Sequence, residues 1–230
     1  MGMNVPQDLK NWTPRPRPSR IALEGRYVRL EPLDPARHGD GLFAASSVED
    51  ADGRFRWLGD YPPESRAAFQ PWLEKAAASE DPLYFTVIDK ETGKIAGRQT
   101  FMRIDPANGV IEIGNIYWGP LVSRKPAATE ALYLFARHIF DDLGYRRFEW
   151  KCNNRNEPSK RAASRFGFQF EGIFRQHLID KGENRDTAWY SMLDDEWPAI
   201  RQALEAWLDP SNFGSDGQQK KLLEEFRKTD

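Results

Sequence analysis

At 230 residues, 40% hydrophobic and 30% charged, the chain has the composition of a soluble globular protein and the length for one sizeable domain. A net charge of −2 gives no global reason to bind nucleic acid or an anionic membrane, so any anion site must be local. The single cysteine, Cys152, excludes an internal disulfide and a cysteine-based metal site, and no apolar run approaches the roughly 20 residues of a membrane span.

Residues 1–20 read as a Pro-rich arm, because Trp12-Thr-Pro-Arg-Pro-Arg-Pro-Ser has no periodicity and favours an extended chain. The start of the chain has no apolar signal-peptide core, so the cytoplasm is the expected location. Ile21 to Leu33 predicts a first strand. Asp34-Pro35 predicts a helix start, with Asp as cap and Pro in the first turn. Gly53 to Tyr61 reads as irregular and aromatic-rich. Pro62-Pro63-Glu64-Ser65 opens a helix to about Ala78, with Phe69, Trp72, Leu73 and Ala76 as its stripe. Leu83–Asp89 and Lys94–Ile104 predict a hairpin around Gly93, and Gly97 marks a bulge or a close backbone approach. Asn108-Gly109 turns the chain into a strand over Val110–Gly119.

A basic turn, Val122-Ser-Arg-Lys-Pro-Ala-Ala-Thr129, then leads into a helix from about Ala127 to Leu143. Fresh N–H groups and the helix dipole favour an anion there. Arg146–Cys152 predicts a short strand. Pro158–Phe166 predicts a helix capped by Asn156 and ended by Gly167. Phe168–Asp180 and Thr187–Leu193 predict two more strands, and a helix runs from Asp195 to about Leu208. The order of elements predicts an α+β, mixed α/β sheet, antiparallel first and then joined by helical crossovers. The expected organisation is an arm (1–20), one catalytic domain (21–194) and a C-terminal helical extension (195–230).

Three pieces carry a family resemblance. They are Glu112-Ile-Gly-Asn with its turn into Thr129-Glu-Ala-Leu, Leu143-Gly-Tyr-Arg-Arg, and Asn156-x-x-Ser159 followed by Arg165-Phe-Gly-Phe-x-x-Glu171-Gly. They resemble the core of the GCN5-related N-acetyltransferase superfamily, in the branch typified by ribosomal-protein-alanine acetyltransferases (RimJ/RimL-type). The resemblance implies a mostly antiparallel sheet of six to seven strands, splayed between its fourth and fifth, with acetyl-CoA in the opening. It implies an acetyl-CoA-dependent N-acetyltransferase that modifies a primary amine by direct attack. A catalytically weak acyl-CoA-binding relative is the alternative. The expected partners are acetyl-CoA and an amine acceptor, with no metal, nucleic acid or membrane, in a monomer or homodimer.

Residue by residue, the resemblance implies that the pyrophosphate sits on Arg124, Lys125, Ala127, Ala128 and Thr129. It assigns the pantetheine arm to Asn156, the neighbourhood of the thioester sulfur to Ser159, a further cofactor contact to Lys160, and the thioester carbonyl to the backbone of Ile116, Tyr117 and Trp118. The turn departs from the family, because Ala127 and Thr129 replace glycine-class positions and Pro126 removes one donor. The Tyr that many relatives use as general acid aligns with Ala163, which leaves Ser159, a water or no dedicated acid. A base is needed because the amine starts as an ammonium, and Glu112 and Glu171 are the candidates. Trp57, Asp180, Arg185 and Asp186 are the candidates for the acceptor pocket. The three histidines have no metal-ligand spacing, and Cys152 reads as a buried core thiol.

Overall fold

The computed structural model describes residues 8–227, so parts of the predicted arm and extension lie outside the described residues. One open sheet contains β1 (Leu23–Glu24), β2 (Val28–Pro32), β3 (Leu83–Asp89), β4 (Ile95–Asp105), β5 (Val110–Trp118), β6 (Arg147–Asn153), β7 (Gln169–Asp180) and β8 (Glu183–Leu193). Their spatial order is β1-β2-β3-β4-β5-β6-β8-β7. All neighbours pair antiparallel except β5 and β6, which are parallel. The helices are α1 (Pro35–Ser46), α2 (Ala51–Phe55), α3 (Arg66–Ala78), α4 (Pro126–Arg137), α5 (Glu157–Phe166), α6 (Trp197–Leu208) and α7 (Leu223–Phe226).

The sheet has eight strands among the described residues, against the six or seven expected. The extra one arises because the predicted strand over 21–33 breaks into β1 and β2. The backbone N–H groups of Arg26, Tyr27 and Val28 all donate to the Glu130 carboxylate, at 2.7, 2.6 and 2.8 Å. Three charge-assisted bonds from α4 outweigh the ladder bonds those residues would make in a continuous strand. Within the predicted irregular segment, residues 51–55 instead form the short α2.

Two layers cover the sheet. On one face α1 and α3 bury Leu33, Leu42, Phe69, Leu73 and Ala76. Their starts follow the capping residues: Asp34 accepts from Ala36 and Arg37, and Ser65 accepts from Ala68. On the other face lie α4 and α6. Phe135 of α4 stacks on Phe101 with ring centroids 3.7 Å apart, and Phe85 meets it edge-on at 5.2 Å. The expected one-sided α4 is buried at every position from Ala127 to Ala136. Sheet, α6 and the β1–β2 turn enclose it, so even Thr129 and Glu130 are out of water. It ends in a π-helical turn over His138–Asp142, and Gly144 (φ +70°) lets the chain reverse.

The parallel β5–β6 pairing covers only Val110↔Arg147 to Ile113↔Trp150. Beyond it both strands continue unpaired to each other. β5 bulges at the same place. Arg98 faces Tyr117 and Thr100 faces Gly114, which leaves an extra residue on β5, and Asn115 takes φ +48°. Gly97 fits the close approach expected of it, since a Cβ there would collide with the Tyr117 carbonyl oxygen. The described part of the arm crosses the sheet's lower end: Trp12 Nε1 donates to the Ala107 carbonyl at 2.7 Å and Arg15 N to the Pro106 carbonyl at 2.9 Å.

Candidate functional site

Where β5 and β6 part, a cleft of about 1960 Å³ opens. Its volume exceeds the roughly 300–1,000 Å³ of an ordinary small-molecule pocket, as an elongated ligand requires. The basic turn and the first turn of α4 form one wall, with Ser123, Arg124, Lys125, Pro126, Ala128 and Thr129 lining it. No side chain caps α4 at Lys125, and Pro126 occupies its first turn. The Ala127 and Thr129 N–H groups make no backbone bond outside the helix among the described residues. An uncapped helix start with two adjacent cations is an anion site by charge and by geometry. Ala127 itself is buried and does not line the cleft.

The opposite wall is the start of α5. Asn156 Oδ1 accepts the Ser159 N–H at 3.2 Å, which is the cap expected from sequence. Its amide nitrogen makes no hydrogen bond with the described residues and is available as a donor. Ser159 Oγ accepts from Trp150 Nε1 at 2.9 Å, and its hydroxyl also hydrogen-bonds with the Cys152 sulfur. Lys160 also lines the cleft, although its ammonium is engaged by Glu157 at 2.8 Å and the Asn154 carbonyl. Cys152 lies beside Ser159, and burial pushes its thiol pKa up. Ala163 is fully buried and outside the lining.

At the floor, Ile116, Tyr117 and Trp118 border the cleft. The Trp118 indole donates to Gln99 Oε1 at 3.0 Å, and Gln99 in turn donates to the Ala131 carbonyl at 2.9 Å. The Tyr117 hydroxyl donates to the Ala45 carbonyl at 2.5 Å and is engaged by α1.

Glu112 lines the cleft at the splay. It is only 3% exposed, so its charge requires partners. Arg103 Nη1 and Lys151 Nζ both reach Oε2, at 2.7 and 2.9 Å. Oε1 makes no hydrogen bond or ion pair with the described residues and points toward Gly114, 3.7 Å from where a Cβ there would stand. Lys151 also pairs with Glu149 at 2.6 Å and lies 3.7 Å from the Trp189 ring centroid. Arg103 reaches Glu112 because β4 bulges there, with Arg103 at φ +48°.

Glu171, the other candidate base, is not brought to the cleft. Arg147 holds its two carboxylate oxygens at 2.7 and 2.6 Å, and Ser191 Oγ donates to it at 2.7 Å. Both of its oxygens are taken by those contacts, the Arg147 bond foremost, and they lower its pKa. Of the four acceptor candidates, Trp57 and Arg185 line the cleft. Asp180 does not, although it sits 3.5 Å from Arg185. Asp186 accepts the Gln176 N–H at 2.7 Å and borders a separate hollow with Asn153 and Glu183. Trp57 is held in place indirectly. Arg98 Nη2 pairs with Asp60 at 2.5 Å, and Lys181 Nζ donates to the Phe55 carbonyl at 2.9 Å, which fastens the segment around Trp57 to the sheet and to the β7–β8 turn.

The Acetyltransferase (GNAT) domain family matches residues 28–169, more than half of the chain. The chain belongs to that family. It is similar to a GCN5-related N-acetyltransferase from Brucella melitensis, whose crystal structure superposes with a TM-score of 0.95 at 69% identity, covering 95% of this chain and 99% of that one. It is 33% identical over 117 residues to the uncharacterized N-acetyltransferase p20 of Bacillus licheniformis, covering 49% of this chain and 63% of that protein, less than two thirds of its length. It shares a fold, with a TM-score of 0.66 at 19% identity over 75% of this chain and 99% of the other, with an acetyltransferase from Salmonella typhimurium that modifies the N-terminal serine of 50S ribosomal protein L7/L12.

GNAT enzymes use acetyl-CoA as co-substrate. The residues present fit it: an uncapped helix start for phosphate, a free amide on Asn156 for a peptide-like arm, and a cleft long enough for both. Among the described residues no group of three or more His, Cys, Asp or Glu is arranged to hold a metal, and no helix is long and apolar enough to cross a membrane.

Sequence reading passed over Lys151 and Arg103. The alternation in Arg147-Phe-Glu-Trp-Lys-Cys put Arg147, Glu149 and Lys151 on one face of β6, but not which carboxylates they meet. It also passed over the C-terminal segment, of which Trp207, Pro210, Phe213 and Gln218 line the cleft.

Proposed function

We propose that this GNAT enzyme transfers the acetyl group of acetyl-CoA to a primary amine by direct attack, with Glu112 as general base. The observation that carries the reading is the two-sided state of Glu112: Oε2 anchored by Arg103 and Lys151, Oε1 unpaired at the mouth of the splay. An anchored carboxylate with one open oxygen takes a proton from the bound ammonium, directly or through one water. The amine nitrogen then attacks the thioester carbon. The C–N bond forms, the C–S bond breaks, and the sulfur leaves as thiolate. Backbone N–H groups over Ile116–Trp118, beside the bulge, stabilise the developing oxyanion. Ser159, which accepts from the Trp150 indole, donates its proton to the thiolate and recovers one from the attacking nitrogen, which sheds its second proton as the amide forms. Arg124, Lys125, Ala128 and Thr129 hold the pyrophosphate, and Asn156 orients the pantetheine arm.

For the acceptor we propose a peptide N-terminus or a small amine, entering between Trp57 and Arg185. The shared fold with an enzyme acting on a ribosomal N-terminus is compatible with the first. The protein is read as cytoplasmic, in line with its lone reduced cysteine.

Two measurements test this. Calorimetric titration with CoA checks the coenzyme site, and CoA release with a panel of peptides, polyamines and amino acids checks turnover. CoA binding with no turnover on any amine would favour a coenzyme-binding relative, the reading that the glycine-poor turn supports. Absence of CoA binding would remove both.

A further inference from the structure

Several cations line the cleft without an ion pair among the described residues, and Arg165 is the one packed against aromatic rings. Arg165 of α5 lines the cleft and forms no ion pair with the described residues. Its hydrogen bond runs from Nη1 to Thr129 Oγ1, at 3.1 Å, in the first turn of α4. Its guanidinium lies 4.7 Å from the centroid of the Trp207 ring, packed rather than solvated. Burial pushes its pKa down, Glu224 opposes that push and Arg227 adds to it. A half-buried guanidinium with no ion pair among the described residues, beside an open helix N-terminus, favours the arrival of an anion.

The surroundings say which anion. Trp207 continues into an aromatic wall that the C-terminal segment adds to the domain. Phe213 meets Trp207 edge-on at 5.1 Å and Tyr27 at 6.4 Å. The wall is fastened on both sides. The Tyr27 hydroxyl donates to the Leu208 carbonyl at 3.0 Å, and Trp207 Nε1 donates to Gln219 Oε1 at 2.8 Å. All three rings line the same cleft as the splay. A ligand that runs from Glu112 past Asn156 and the α4 turn therefore ends among aromatic rings beside Arg165. Aromatic faces favour a purine, and the planar guanidinium fork favours a phosphate.

We infer that Arg165 and the Trp207–Phe213–Tyr27 wall hold the nucleotide end of coenzyme A, the guanidinium on a phosphate and the wall against the adenine. The inference rests on the acetyl-CoA reading above. The phosphate is either the 3′-phosphate or the pyrophosphate of the same molecule.

The experiment is a calorimetric titration of the full chain with CoA, 3′-dephospho-CoA and pantetheine. Arg165→Gln should weaken CoA by about tenfold or more, the scale of a lost charge-assisted bond, and leave pantetheine within about twofold. Loss confined to CoA assigns the 3′-phosphate, whereas equal loss with 3′-dephospho-CoA assigns the pyrophosphate. Either supports the inference. Phe213→Ala should weaken both nucleotides by about fivefold and spare pantetheine, as for one lost stacking contact. Equal weakening of all three ligands, or of none, overturns it. Should Arg165→Gln not fold, Arg165→Lys keeps the charge and the stem on Trp207 but loses the fork, and must still weaken CoA selectively. Wild-type protein that binds pantetheine as tightly as CoA overturns the inference without any variant. If wild-type protein binds no CoA, the acetyl-CoA reading itself fails. If wild type and variants bind CoA alike, only this inference falls.

Discussion

The two walls of the cleft are built in opposite ways. The coenzyme side is local: Asn156 caps its own helix three residues ahead, and the α4 turn offers the N–H groups of Ala127 and Thr129, two residues apart. The acceptor side is long-range. Glu112 is held by Arg103 from β4 and Lys151 from β6, and Asp60 is held by Arg98. A site made of backbone and caps forms as soon as its helix forms. A site made of ion pairs between strands exists only once the sheet has closed, and each buried charge in it depends on its partner.

That difference can be broken deliberately, starting with the largest expected effect. Glu112→Gln removes the base but keeps size and polarity. It should lower kcat by about 10²–10⁴-fold and move the activity profile to higher pH, with little change in acetyl-CoA affinity. An unchanged pH–rate profile would rule out Glu112. Lys151→Met strips the shared cation from Glu112 and Glu149, both buried. It should cost about 3–5 kcal/mol of stability, read as a fall in the urea midpoint. Retention of full stability would mean that the carboxylates find water instead.

The coenzyme side should respond more gently. Asn156→Ala loses a cap, worth about 1 kcal/mol, and should raise KM for acetyl-CoA more than it lowers kcat. A variant that loses stability but keeps KM would reduce Asn156 to a cap alone. Smallest of all, Glu171→Gln should leave kcat within about twofold and cost at most about 1 kcal/mol, because its pair with Arg147 is partly exposed. The sign of its pH dependence follows from the lowered pKa. The folded state favours the charged carboxylate, so the stabilisation is present above the ordinary value of 4.5 and fades as pH falls through the lower folded pKa. Wild type and variant should therefore converge in stability in acid. A large loss of kcat in Glu171→Gln would return it to the candidates for the base.

Much of the chain was legible from its residues alone. Asp34, Ser65 and Asn156 declared three helix starts, and Gly97 and Gly167 a close approach and a helix end, because caps and glycines act within a few residues. The family motifs named Asn156, Ser159 and Glu112, all of which line the cleft. Reading by motif failed at Glu171, whose fate depends on Arg147, 24 residues away in sequence and across the sheet.

By itself, then, the sequence determined most of the element order, the capped helix starts and the basic turn, since these depend on local propensity and backbone bonding. Only the tertiary structure decided which charges meet. It placed two cations on one oxygen of Glu112, turned Glu171 away, pinned the β1–β2 turn to Glu130, and brought the C-terminal aromatics to the far end of the cleft. The physical reason is reach. A hydrogen bond or ion pair is set within a few ångströms, and strand register and helix packing decide which residues from distant parts of the chain come that close.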